Sequence, residues 1–189
     1  MKAVLFAALL LVGEGHQGIH LTVDEIPDRS VWIHPVIPIF GRTPIQEGEW
    51  IAIPDILLCP GAPVTITRVE RAVKYWERLG YTFGSITQAL PGNMNCANSG
   101  ASYETITIDI PSQSFKFESH LGSTKAWRYT ANDEIFKARI EIQPSWGRTE
   151  RILEHEIGHA LGWRDMNSIG HIMNGTWSTG GYNSTGIKK

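Results

Sequence analysis

The run His155-Glu156-Ile157-Gly158-His159-Ala160-Leu161-Gly162-Trp163-Arg164-Asp165 places metal-ligand side chains, a candidate base and a bend in one short stretch. On a helix, His155 and His159 lie four residues apart, on one face and one turn from each other. Two imidazoles so placed can share a zinc ion, each nitrogen at about 2.0–2.1 Å from it. Glu156 points off that face and beside the metal, where its carboxylate can take the proton of a water activated there. Gly162 follows His159 by three residues, where a helix that must stop and turn favours a residue that adopts positive φ freely. The turn carries Asp165 back toward the imidazoles as third ligand. A carboxylate binds zinc at about 2.0–2.2 Å, and two histidines with one acid form an accepted catalytic set. The competing interpretation is an amphipathic surface helix with two incidental histidines, and it weakens once Gly162 and the downstream Met173 are counted.

Met173 lies in His171-Ile172-Met173-Asn174-Gly175. His171 is the rival third ligand; its other role is a hydrogen bond behind the ligands or contact with solvent. The extended pattern with its downstream methionine resembles the signature of the metzincin zinc endopeptidases. From His155 to Met173 the spacing is most similar to the matrixin group, including Ala160-Leu161-Gly162. The resemblance implies that His155 and His159 are ligands, Glu156 the general base, and Met173 the methionine of the turn beneath the zinc. Most metzincins carry histidine as third ligand; Asp165 in its place is similar to the snapalysins, small secreted bacterial neutral proteases. The resemblance rests on this stretch, and the remainder of the chain is compatible with it without being diagnostic. Because Asp165 adds a negative charge at the ion, the water there is less acidified, which predicts a pH optimum at or above neutral.

The same resemblance implies an α+β fold: a metzincin-like twisted mixed sheet, a backing helix, an active-site helix, and a small C-terminal subdomain with the methionine turn. Substrate would lie as an extended strand along a sheet edge from about Lys125 to Tyr129, against a wall from Met173 to Trp177. Tyr182 is the one tyrosine after the methionine turn. It is either an oxyanion stabiliser or a plain surface aromatic.

These groups need elements to hold them. The zinc helix is predicted to start at Ser145 or Thr149 and to stop at Gly162, with Ile152, Leu153, Ile157, Ala160 and Leu161 on its buried sides. A second helix follows from Ile66, Val69, Val73, Trp76 and Leu79, which recur at three- and four-residue steps. Thr67-Arg68-Val69-Glu70 has capping-box spacing, Thr65 can cap one turn earlier, and Gly80 ends the helix. Strands are predicted at Ser30 to His34, Trp50 to Ile53, loosely in Tyr81 to Leu90, and at the alternating stretches Glu104 to Ile110 and Ala138 to Ile142. Ser114 to Thr130 is predicted to form a hairpin-like pair turning at Gly122. The order suits a sheet with helices on one face.

The chain has 189 residues, 42% hydrophobic and 19% charged, which fits one domain with a sizeable core. A net charge of −2, with no basic run beyond Lys188-Lys189, gives nucleic-acid binding no electrostatic support. Residues 1–15 carry one lysine and an apolar run of signal-peptide length, too short to span a bilayer. Residues 16–28 are a short pro-segment or the lead-in to a catalytic domain at 29–189. A secreted monomer without a stable membrane span, acting on protein or peptide, is the expectation. Calcium binding cannot be read from the residues. The two cysteines, Cys59 and Cys96, form a disulfide in an exported protein or buried thiols in a cytosolic one. A Cys59 thiolate capping the zinc does not fit its surroundings. No G-x-S-x-G or other nucleophile context is present. Three functions compete: a zinc endopeptidase, a non-catalytic binding module stabilised by zinc, and a narrow-target peptidase acting on cell-wall or surface protein. Glu156 separates the first two, because a structural site closes four protein ligands and needs no base.

Overall fold

The computed structural model describes residues 19–20, 43–96, 102–113, 115 and 120–189. The candidate signal peptide, residues 16–28 apart from 19–20, and the Ser30 to His34 stretch lie outside the described residues. The architecture is α+β: a six-stranded mixed sheet and two α-helices. The strands are β1 (Ile19–His20), β2 (Asp55–Leu58), β3 (Ile86–Gln88), β4 (Thr105–Asp109), β5 (Gly122–Arg128) and β6 (Ile135–Ile142). Their order across the sheet is β1-β5-β6-β4-β2-β3. The β3, β2, β4 and β6 neighbours run parallel, while β5 is antiparallel to β6 and β1 is antiparallel to β5.

Period-two alternation sorts the sheet into two faces. Ile106 and Ile108 of β4 and Ala138, Ile140 and Ile142 of β6 join one hydrophobic core with Val69, Ala72, Val73 and Trp76 of α1 (Ile66–Glu77) and Ile152, Leu153 and Ile157 of α2 (Ile152–Ala160). Both helices therefore cover the same face. On the other face Arg139 of β6 pairs with two carboxylates: its Nη2 lies 3.2 Å from Asp109 Oδ2, and its Nε donates to Glu141 Oε1 at 3.0 Å.

Helix α1 begins after Thr65, whose Oγ1 accepts from the Arg68 N–H at 3.3 Å; the earlier of the two candidate caps is the one used. Gly80, at φ +97°, lies just past its end. This helix backs α2 through a buried ion pair. Arg68 Nη1 donates to Glu154 Oε1 at 2.8 Å while its Nη2 engages Glu154 Oε2, and Trp76 Nε1 donates to the Glu154 carbonyl at 2.8 Å.

Four sequence expectations are corrected. Helix α2, the expected zinc helix, starts at Ile152 rather than at Ser145 or Thr149, because Arg151 takes φ +74° and breaks the helical path. Its guanidinium turns inward to donate to the carbonyls of Asn174 at 3.3 Å and Trp177 at 2.6 Å. Pro144–Trp146 forms a separate single turn. Gly122 does not turn a hairpin; it opens β5, and the reversal to β6 runs through residues 129–134, with Tyr129 N donating to Glu134 O at 2.9 Å. Trp50 to Ile53 is not a strand: Trp50 makes only a bridge to Ile135. Within Tyr81 to Leu90, only Ile86–Gln88 pairs.

Cys59 and Cys96 form a disulfide, so Cys59 is not a thiolate at a metal. Among the described residues no helix is long and apolar enough to cross a membrane.

Candidate metal centre

Helix α2 and the turn after it bring His155, His159 and Asp165 together, with ligand atoms within 4.8 Å of one another. His155 Nδ1 lies 2.7 Å from the Ile172 carbonyl oxygen, and His159 Nδ1 lies 2.7 Å from that of Trp163. A carbonyl only accepts, so each Nδ1 carries its hydrogen and donates it, leaving a lone pair on each Nε2. Both Nε2 atoms are buried and make no hydrogen bond. Both face Asp165 Oδ1, at 3.2 and 3.5 Å. Two imidazole nitrogens and a carboxylate oxygen thus converge on one point, an arrangement that a shared cation satisfies. The donor set, two imidazoles and a carboxylate, suits zinc.

Electrostatics follow the same geometry. Burial, then the neighbouring His159, push His155 down to about 4. Burial also opposes charge on His159, but the Asp165 carboxylate outweighs it and the group sits above the usual range. Burial alone would raise Asp165; the two imidazoles beside it hold its carboxyl well below the ordinary value.

The turn that returns Asp165 is built by Gly162, at φ +93°. A Cβ there would lie 2.6 Å from the Gly48 carbonyl oxygen, so glycine is required by space as well as by conformation. A segment upstream of β2 straps this turn. Glu47 N donates to Gly162 O at 2.7 Å and Arg164 N to Ile45 O at 2.9 Å. The unpaired carbonyls at the end of α2 are met by Trp50 Nε1 on Ala160 O at 2.8 Å and Gln46 Nε2 on Leu161 O at 2.9 Å. Glu47 also pairs with Arg164, beside Asp165, and with Arg128 of β5.

Met173 is fully buried, and a Cβ on Gly158 of α2 would overlap its Sδ and the Trp76 ring. The methionine therefore packs directly against the helix turn between the two histidines. Gly175 permits the next close approach, since a Cβ there would stand 3.1 Å from Asp165 Cγ. His171 is not part of the converging group. Its Nδ1 accepts from Met173 N at 3.0 Å and its Nε2 faces Thr185 O at 3.2 Å, so it ties the methionine turn to the C-terminal tail.

Glu156 is fully buried beside the imidazoles. Burial raises its carboxyl to about 7, against the opposing pull of His159 and of a hydrogen bond from Thr124. Thr124 Oγ1 donates to Glu156 Oε2 at 2.6 Å, while Oε1 is buried without a partner. Tyr182 is set elsewhere: its ring packs 5.7 Å from that of Tyr75 on α1, and Tyr75 Oη donates to its carbonyl at 3.1 Å.

Thr124, Gly158, Gly175 and the strap at 45–51 were not singled out from the sequence as parts of the site. Gly158 had a signal, being a small residue inside an apolar helix. A threonine in a strand carries none.

Comparison with family models finds no match to the chain, and comparison with curated proteins finds none either.

Proposed function

We propose that the chain is a zinc-dependent endopeptidase of the metzincin type. The observation that carries this reading is the convergence of two carbonyl-locked imidazole nitrogens with Asp165, next to a buried carboxylate that has one oxygen free. His155 and His159, through Nε2, and Asp165, through its carboxylate, would hold the metal. Zinc bound by such a set supplies Lewis-acid polarisation of a scissile carbonyl and lowers the pKa of water at the site. A non-catalytic zinc module has less support, because it has no use for a buried base with a carboxyl near neutral.

The chain's own groups supply the rest of the chemistry. Glu156 takes the proton of the attacking water at Oε1 and returns it to the departing amine nitrogen. Burial raises this carboxyl in the metal-free protein, the direction that suits a group which both takes and returns a proton. Met173 and Trp76 close the underside of α2 with apolar surface, which keeps water from the back of the imidazoles. Strand β5 borders the site and pairs with β1 at Ser123 and Thr124. Among the described residues that pairing stops at Thr124, and an extended peptide would lie along β5 from Lys125 onward, gaining affinity from main-chain hydrogen bonds with little demand on its sequence. The Cys59–Cys96 disulfide supports an oxidising compartment such as the cell exterior.

Glu156→Ala tests this reading. The variant is expected to retain stoichiometric zinc and to lose casein cleavage; unchanged cleavage would refute the assignment.

A further inference from the structure

A glutamate side chain has three torsions, and a helix fixes only the direction of its first bond. Helix α2 therefore does not by itself decide where the Glu156 carboxylate points. Two residues of β5, on one face of the strand, meet that carboxylate. Thr124 Oγ1 lies 2.6 Å from Oε2 and 3.0 Å from the Glu156 carbonyl oxygen, and is almost fully buried. At Gly122 a Cβ would come within 2.5 Å of Oε1 and 2.8 Å of Cγ and Cδ. The absent side chain is the space the carboxylate occupies. Oε1 itself is buried and accepts no hydrogen bond. A buried acceptor left unsatisfied costs free energy and calls for an explanation.

We infer that Thr124 and Gly122 are positioning residues for Glu156: Thr124 pins Oε2, Gly122 clears the space, and Oε1 is thereby presented as the oxygen that exchanges protons. The inference rests on the peptidase reading of Glu156. It adds that the base is held from strand β5 rather than from its own helix. Thr124 is also the residue whose main chain is opposite Ile19 in the β1 pairing.

Three variants test this. Thr124→Val removes the hydroxyl at nearly constant shape, Thr124→Ser keeps the hydroxyl, and Gly122→Ala fills the space. Thr124→Val is expected to lower kcat about a hundredfold, the scale of a misplaced catalytic group, with KM and zinc content unchanged. Thr124→Ser is expected to restore most of kcat. Crystal structures should show the Glu156 carboxylate displaced in Thr124→Val and Gly122→Ala and in place in Thr124→Ser. Wild-type kcat in Thr124→Val, or an unmoved carboxylate in both Thr124→Val and Gly122→Ala, would overturn the inference. If the wild-type protein cleaves no peptide, the peptidase reading fails, and the crystallographic comparison still decides whether these two residues set the carboxylate.

Discussion

His155 Nδ1 donates to the carbonyl oxygen of Ile172 across 2.7 Å, joining helix α2 to the residue before Met173. One hydrogen bond thereby sets the imidazole tautomer, aims Nε2 at Asp165, and fixes the methionine turn beneath the helix. His171 secures the other side of that turn through Met173 N and Thr185 O.

The ligands and His171 should therefore respond differently to alanine. His155→Ala, His159→Ala and Asp165→Ala are each expected to abolish stoichiometric zinc. His171→Ala is expected to keep the metal and to lose roughly 1–3 kcal/mol of stability, because it leaves Met173 N–H and Thr185 C=O without their partner. Metal analysis alongside thermal melting separates the two outcomes. Loss of zinc in His171→Ala with Asp165→Ala unaffected would reverse the assignment of the third ligand.

Glu156 carries a stability signature that needs no substrate. Its folded carboxyl is raised from 4.5 to about 7 by burial, so between those values the folded metal-free protein binds more protons than the unfolded chain. Stability from this group is therefore fully present below the lower value and is lost as pH rises through the higher one. Glu156→Gln removes the buried charge. In the metal-free protein it is expected to be more stable than wild type at pH 8, by on the order of 3 kcal/mol, with the difference vanishing below pH 4.5. Denaturant melts across that range measure it, and a difference that grows toward acid would show the sign to be wrong.

Activity should follow the same carboxyl. A base whose carboxyl burial raises, at a site where Asp165 would offset part of a bound ion's charge, is expected to give a pH–rate profile that falls as pH drops through neutral, with its optimum at or above pH 7. An acidic limb well below pH 6 would contradict this.

The Arg68–Glu154 pair locks α1 to α2 inside the protein, with both side chains almost wholly buried. Arg68→Met alone is expected to cost about 3–5 kcal/mol, by leaving Glu154 charged and unpaired. Arg68→Met with Glu154→Met should recover most of that loss. A double-mutant cycle in denaturant is the measurement; equal losses in the single and the double variant would show that the pair is not the coupling element.

The readable parts of this chain were those governed by local rules. The four-residue spacing of His155 and His159, the stripe of α1 and the alternation of β4 and β6 all follow from helix and strand periods. Gly162 was readable because a helix stop has its own residue chemistry. The start of α2 was not, since Arg151 leaves the helical path to reach carbonyls more than twenty residues downstream. Gly122 looked like a turn residue because glycine in a strand is uncommon; its reason is the Glu156 carboxylate, which belongs to a distant segment. The strap at 45–51 makes few regular ladder bonds and so has no period to read. Thr124 and Tyr182 are the limiting cases, identical on paper to any strand threonine or tail tyrosine until the fold places one at Glu156 and the other against Tyr75.

The most direct test is peptide cleavage by the purified protein before chelation, after chelation, and after zinc is restored. Cleavage that disappears with the chelator and returns with one equivalent of zinc is the expected result. Cleavage indifferent to the chelator, or a protein that holds no zinc through His155, His159 and Asp165, would contradict the proposed function at its root.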